Sequence, residues 1–249
     1  RIAMSPYRFD AVGGTRSAQE RAALSNLSEQ FERSSFSTLE RLMNFPLYVP
    51  RQNLTTFLVK YELFRRILTI HGSIIECGVG FGGGLMTWAQ LSAILEPVNH
   101  TRRIIGFDTF AGFPSVSEHD TAHVGDLTVD SQAEVEACVR IYDQNRFVNH
   151  LPKVELVKGD ICTTVPKYII DHPSLLVSLL YLDADLYAPT KVALTELLPR
   201  MPRGAIVAFD ELNMAEWPGE TVAMLETFAT ARPRLERCAF GSTISWVQL

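Results

Sequence analysis

The sequence predicts an α/β protein whose sheet is mostly parallel, ends in an antiparallel hairpin and is preceded by a helical arm. Three observations predict it. From about residue 53, short apolar runs alternate with helix-like stretches; several of those runs end on an acid or a glycine; and the C-terminal segment reads as a hairpin. The chain has 249 residues, 47% hydrophobic and 20% charged, enough to fill one large α/β core.

Residues 1–52 read as an arm. Gly13-Gly14 and scattered Ser and Arg lead into a polar helical stretch from Ala18 to Arg33. A second helix from Thr38 to Met43 is broken by Pro46 and Pro50. Such an arm is either a tail with surface helices or a lid or subunit contact, the latter implying a homo-oligomer. Residues 53–249 form the main domain. Asn53 reads as the N-cap of a helix with Phe57, Leu58, Tyr61, Phe64, Arg65 and Leu68 on related faces.

Strands are expected at Ile74–Cys77, Arg103–Asp108, Val154–Val157, Leu175–Asp183 and Ala205–Asp210. The fourth is almost continuous hydrophobe, as in a strand buried on both faces. Helices are expected at Leu85–Leu95, Ser131–Phe147, Val165–Ile170, Thr190–Leu198 and Thr221–Ala231. Arg237–Phe240 and Ile244–Leu249, joined by Gly241-Ser242-Thr243, read as the hairpin. A Rossmann-like, mostly parallel sheet that finishes this way is the usual plan of class I methyltransferases; a dinucleotide dehydrogenase normally lacks the hairpin.

Lys and Arg number 23 against 28 Asp and Glu, a net charge of −5, so no global basic field for nucleic acid or an anionic membrane is present. The longest apolar run, Leu175 to Leu182, is too short to span a bilayer. No basic-then-apolar leader is visible. Cys77, Cys138, Cys162 and Cys238 lack C-x-x-C spacing, which disfavours a zinc knot or disulfide framework; a reduced, cytoplasmic setting is expected.

Glu76-Cys77-Gly78-Val79-Gly80-Phe81-Gly82-Gly83-Gly84 lies where the first strand should turn into a helix. Gly78, Gly80 and Gly83 let backbone approach a ligand, and the helix N-terminus favours a carboxylate or phosphate. The same spacing satisfies the dinucleotide fingerprint, so the glycines alone do not choose between ligands. Glu76 suits a ligand with an amino group and a sulfonium, such as S-adenosylmethionine, and would repel a pyrophosphate. Asp108 at the end of the second strand can accept ribose hydroxyls, a device NAD enzymes share. Asp160 after the third strand can accept from an adenine amino group.

Asp183 and Asp185 follow the fourth strand, and Asp210 and Glu211 follow the fifth. If those strands are neighbours, four acids gather where ligands bind in open α/β sheets. Like charges about 4 Å apart repel by roughly 4 kcal/mol per pair at an effective dielectric of 20, so the cluster needs a cation or must take up protons. Oxygen-only donors favour Mg²⁺ over zinc. The competing reading is structural: Asp185 caps the next helix, and Glu211 is solvated.

The segments Ile-Ile-Glu-Cys-Gly-Val-Gly-Phe-Gly-Gly (74–83), Gly-Phe-Asp-Thr-Phe-Ala-Gly-Phe-Pro (106–114), Leu-Asp-Ala-Asp-Leu-Tyr (182–187) and Asp-Glu (210–211) together resemble the macrocin O-methyltransferase family. That family methylates deoxysugar hydroxyls of antibiotics with S-adenosylmethionine and a divalent metal. The resemblance implies Asp183, Asp210 and Glu211 as metal ligands and Asp185 as general base. It implies Glu76, Gly78, Gly80, Gly83 and Asp108 as cofactor residues, with a small-molecule glycoside as substrate. The chain departs from the family pattern at Glu211, where a second Asp is more usual, at Ala184, where Gly is usual, and at Asp160, where an aromatic is usual.

Other readings remain at this stage. A catechol-type O-methyltransferase would share the metal logic, an NAD(P) oxidoreductase would use Gly78, Gly80 and Gly83, and a non-catalytic cofactor-binding module would be a subunit partner. His119 and His123 have zincin-like spacing but stand in a polar stretch that reads better as a loop over the substrate. Trp217 is a candidate for stacking on a sugar or for simple packing, and Glu220 for the first turn of a helix.

Overall fold

The chain was analysed as a computed structural model that describes residues 17–241 and 243–249; Gly13-Gly14 and Ser242 lie outside the described residues. Two compact units follow one another in sequence, the first ending at Leu58 and the second starting at Val59.

The first unit holds helices α1 (Ala18–Arg33) and α2 (Thr38–Met43), as the sequence predicts. Each opens with a capping box: Ser17 with Glu20, and Ser37 with Glu40. Neither helix buries a residue. Arg41 ties them together, donating to the Phe31 carbonyl at 2.8 Å with its guanidinium 4.4 Å from the centre of the Phe31 ring.

Helix α3 (Arg51–Ile67) begins two residues before Asn53, which corrects the expected N-cap. Pro50 precedes the first turn, and the Asn53 and Leu54 amides donate to its carbonyl at 3.0 and 3.3 Å. The face that enters the core is Val59, Lys60, Leu63, Phe64 and Ile67, while Phe57, Leu58 and Leu68 stay exposed.

The second unit is built on seven strands: β1 (Ser73–Cys77), β2 (Ile104–Asp108), β3 (Val154–Lys158), β4 (Val177–Leu182), β5 (Ile206–Phe209), β6 (Glu236–Arg237) and β7 (Ser245–Gln248). Their order is β3-β2-β1-β4-β5-β7-β6; the first five are mutually parallel, and β7 runs antiparallel to both β5 and β6. The hairpin is therefore present, with shorter strands than expected and β7, not β6, against the parallel sheet. Neighbours β1 and β4 mark the point where strand order reverses, which opens a crevice at their carboxyl ends.

Period-two alternation sorts the strand residues into two cores. Ile74, Ile104, Leu179, Tyr181, Ile206 and Ala208 pack with α3 and with α4 (Gly83–Leu95). Ile75, Ile105, Phe107, Leu180, Leu182, Val207 and Phe209 pack with α6 (Ile161–Asp171), α7 (Tyr187–Leu197) and Phe228, just past α8 (Pro218–Thr227). Helix α5 (Gln132–Gln144) sends Val135 and Tyr142 into the first core.

Besides α3, and α4 by two residues, three helices start earlier than expected. For α6 the reason is Asp160, whose carboxylate caps the Cys162 amide at 2.8 Å and lets the helix begin before Pro166. For α8 it is Pro218, whose fixed φ suits the first helical position. The early start of α7 is explained by Asp120, described below. Among the described residues no helix is long and apolar enough to cross a membrane.

Candidate active site

The glycine loop lies at the switch point, between β1 and α4. Gly78 has φ of +94°, and a Cβ there would run into the backbone carbonyl of Asp183. Only glycine lets the loop pass beneath the end of β4. Asp108 organises the next turn: one carboxylate oxygen accepts from the Val79 and Gly80 amides at 2.7 and 2.8 Å, and the other accepts from Phe110 at 2.7 Å. The Ser131 hydroxyl, at the start of α5, donates to the Gly80 carbonyl. Gly83 is the first residue of α4, whose amide end faces the crevice without a side-chain cap. Gly78, Gly80, Gly83 and Asp108 are thus brought together, and Asp160 lies at the end of β3 as the cap of α6.

Glu76 behaves differently from the expectation of an acid open to the ligand. The β1 alternation turns it onto the α3–α4 face, where it is 1% exposed. Its Oε2 accepts from Trp88 Nε1 at 2.5 Å and from Lys60 Nζ at 3.1 Å. The Lys60 ammonium in turn sits 3.8 Å from the centre of the Tyr181 ring and 4.8 Å from that of Trp88. Burial pushes the Glu76 carboxyl up, and Lys60 opposes that most strongly. Lys60, Trp88 and Tyr181 were not among the expected site residues.

The four acids at the ends of β4 and β5 do converge. Strands β4 and β5 are adjacent, and the Asp210 amide donates to the Leu182 carbonyl at 2.9 Å. Tyr181 donates its hydroxyl to Asp210. Asp185 is 9% exposed and stands in the left-handed region at φ 60°, a strained conformation for a side chain with Cβ. Burial, first, and then the charge of Asp210 raise the Asp183 carboxyl well above its ordinary range; Lys60 works against both. Burial and then Glu211 do the same to Asp185. Asp210 is raised by burial, with Tyr181 and Lys60 opposing, and Glu211 is pushed up to about 7, chiefly by burial.

The capping role considered for Asp185 belongs to another residue. Asp120 Oδ1 accepts from the Tyr187 amide at 2.8 Å at the start of α7, while its Oδ2 accepts from the Ser117 amide at 2.8 Å. Thr121 donates to the Glu216 carbonyl at 2.5 Å, so the segment after Pro114 is pinned to both the β4–α7 and β5–α8 loops. It contains no helix over His119 and His123. His119 packs on the Tyr187 ring with centroids 4.4 Å apart, while His123 is exposed beside Asp126, so the two are not a paired metal site. Trp217 is buried, edge-on to Phe113 at 6.1 Å, and its Nε1 has no hydrogen-bond partner among the described residues.

Among the described residues no three His, Cys, Asp or Glu side chains stand in a ready-made metal cage. The acids at the ends of β4 and β5 offer only oxygen donors, and Glu211 Oε2 is buried with no hydrogen-bond partner among the described residues.

A parallel sheet reversing at β1 and β4, a glycine loop at that point and an antiparallel β6–β7 pair define a class I methyltransferase. The chain belongs to the macrocin O-methyltransferase family: the family model described as Macrocin-O-methyltransferase (TylF) matches residues 62–232. It is an O-methyltransferase. A crystal structure of CalS11, described as a calicheamicin methyltransferase, is 34% identical over 94% of this chain and 93% of that chain, with a TM-score of 0.89. An apo structure of CalS11, described as a TDP-rhamnose 3′-O-methyltransferase of calicheamicin biosynthesis, is 32% identical over 94% and 95%, with a TM-score of 0.83. The O-methyltransferase NovP, 21% identical over 78% and 79% with a TM-score of 0.64, shares the fold. No curated protein sequence matches the chain.

Proposed function

We propose that this protein transfers a methyl group from S-adenosylmethionine to a hydroxyl of a deoxysugar, free as its nucleotide or attached to a natural product, and that it requires Mg²⁺. The observation that carries the reading is the buried carboxyl cluster of Asp183, Asp185, Asp210 and Glu211 beside the glycine loop, with Glu211 Oε2 unpartnered. The sugar follows from the 32% identity to a TDP-rhamnose 3′-O-methyltransferase. The family membership leaves the NAD(P) and catechol readings without a supporting observation.

When bound, S-adenosylmethionine supplies an activated methyl and the divalent ion supplies Lewis acidity. Asp183, Asp210 and Glu211 hold the ion. Gly78, Gly80 and Gly83 let backbone come against the methyl donor, and Asp108, which keeps one lone pair beyond its three amide bonds, accepts from the ribose. Asp160 flanks the adenine side. Glu76 contributes from beneath the loop as the buried partner of Lys60. Asp185 takes the proton of the acceptor hydroxyl, which requires that it be ionised when the acceptor is bound. Positioning supplies much of the rate, because the methyl donor is already activated.

A mass-shift screen of TDP-deoxysugars and deoxysugar glycosides tests the proposal, with a catechol as the comparison acceptor. The expected result is a gain of one methyl on a sugar in Mg²⁺, none in EDTA, and none with Asp183→Asn although that variant still binds S-adenosylhomocysteine. Sugar methylation that persists in EDTA overturns the metal reading; methylation of the catechol alone overturns the sugar.

A further inference from the structure

Tyr181 stands on β4 between Glu76 of β1 and Ala208 of β5, in one cross-strand row. It is fully buried on the α3–α4 face of the sheet, in a core it shares with Ile74, Leu179 and Ile206. A phenylalanine would fill that space without burying a hydroxyl. The hydroxyl has a partner: it donates to Oδ1 of Asp210, which lies two residues past Ala208 and therefore on the same face. The ring is held in turn. The Lys60 ammonium lies 3.8 Å from its centre, and the Trp88 ring meets it edge-on at 5.6 Å. Lys60 and Trp88 both donate to Glu76 Oε2, at 3.1 and 2.5 Å. A Cβ on Gly84, in the first turn of α4, would collide with Glu76 Oε1 and Lys60 Nζ, so this group is seated directly against the helix that follows the glycine loop.

An acid just past the end of a strand has several rotamers open to it unless a neighbour selects one. For Asp210 that neighbour is Tyr181. Resting on the proposed part of Asp210 in methyl transfer, we infer that Tyr181 is a positioning residue for the reaction: its hydroxyl fixes the Asp210 carboxylate, and the group of Lys60, Glu76 and Trp88 fixes its ring. An ammonium on the ring face also polarises the phenol toward its hydroxyl hydrogen, which strengthens the bond to a carboxylate. Tyr181 itself touches neither donor nor acceptor in this role. It holds the acid that serves the acceptor in a constant relation to the loop that serves the donor.

The test compares the parent with Tyr181→Phe and Asp210→Asn, each as the whole chain, using the TDP-deoxysugar or glycoside that the mass-shift screen selects as acceptor. Three quantities are read: kcat at saturating acceptor, S-adenosylhomocysteine affinity by calorimetry, and melting temperature. Tyr181→Phe keeps the ring and its packing and removes only the hydroxyl. Its kcat is expected to fall about tenfold or more, because a small misplacement of a reacting group is enough for that. Donor affinity and melting temperature are expected to stay at the parent's values. A packing role does not give that split, since it lowers all three together. Parent-like kcat in Tyr181→Phe, with Asp210→Asn inactive, overturns this inference alone. Losses of donor affinity and melting temperature in step with kcat make Tyr181 a packing group and overturn it as well. Full turnover by Asp210→Asn, or a parent that methylates no sugar in the screen, overturns instead the reading on which the inference rests.

Discussion

Lys60 Nζ lies 3.1 Å from Glu76 Oε2, and the two side chains are only 2% and 1% exposed. The pair sits below the glycine loop, and through the Tyr181 ring and its hydroxyl the same ammonium stands behind Asp210. One buried cation thus faces the glycine loop on one side and the carboxyl cluster on the other.

Removing that cation alone should be severe. Lys60→Met leaves Glu76 buried without its partner, a loss of about 3–5 kcal/mol. The double change Lys60→Met with Glu76→Gln should recover most of it, because neither charge remains. Urea unfolding of the parent, the single and the double variant checks this; a double variant no more stable than Lys60→Met would show that the pair is not the source of the cost.

Asp108 should matter to donor binding through the loop it shapes. Asp108→Ala strips the acceptor from three backbone amides at 2.7–2.8 Å, and two of them belong to the glycine loop. Hydrogen bonds to a charged group contribute about 1.5–3 kcal/mol each when lost, so binding of S-adenosylhomocysteine should weaken roughly tenfold to a hundredfold. Calorimetry measures it, with far-UV circular dichroism confirming that the fold is kept.

The sheet was legible because strand residues such as Leu179 to Leu182 are apolar on both faces and several runs end on an acid or glycine. The acids at 183, 185, 210 and 211 were legible for the same reason, since strand ends place their neighbours together. What alternation also encodes, and a motif does not, is direction: Glu76 shares its face with Ile74 and so enters the α3–α4 core. Lys60 carried a readable signal, a charge among Val59, Leu63 and Phe64 on a buried stripe. Asp120 carried none, because a loop residue that caps a helix 67 positions away leaves no local pattern.

Gly78 should tolerate no side chain. Its φ of +94° disfavours any Cβ, and the added methyl would meet the Asp183 carbonyl. Gly78→Ala combines backbone strain of about 1–3 kcal/mol with displacement of the segment that bears Asp183 and Asp185. The variant should melt lower and lose turnover together, whereas Gly80→Ala, which has open space around it, should lose less stability.

Asp120 should couple a loop to the start of α7. Asp120→Ala removes the side-chain acceptor of the Tyr187 amide, a capping loss of about 1 kcal/mol. Because Tyr187 follows Asp185 by two residues and His119 packs on its ring, the acceptor KM should rise while S-adenosylhomocysteine binding is kept. Equal loss of donor and acceptor binding would mean the segment acts on the whole fold.

Lys153 gives stability a pH dependence far from the acids. It is 5% exposed, and its Nζ donates to the Asn99 carbonyl at 2.7 Å. Burial lowers it from 10.5 to about 8, with Glu96 opposing and Arg102 and Arg146 adding to the shift. Between those values the unfolded chain binds a proton that the folded chain does not, so the contribution of Lys153 to stability grows as pH rises through the window. It is complete above the unfolded value and lost as pH falls through the folded one. Lys153→Met abolishes that slope at the cost of one hydrogen bond. Melting curves of parent and variant from about pH 7 to about pH 10 should therefore show the parent gaining on Lys153→Met across the upper part of the range. A difference that stays flat would place the ammonium in water in the folded protein.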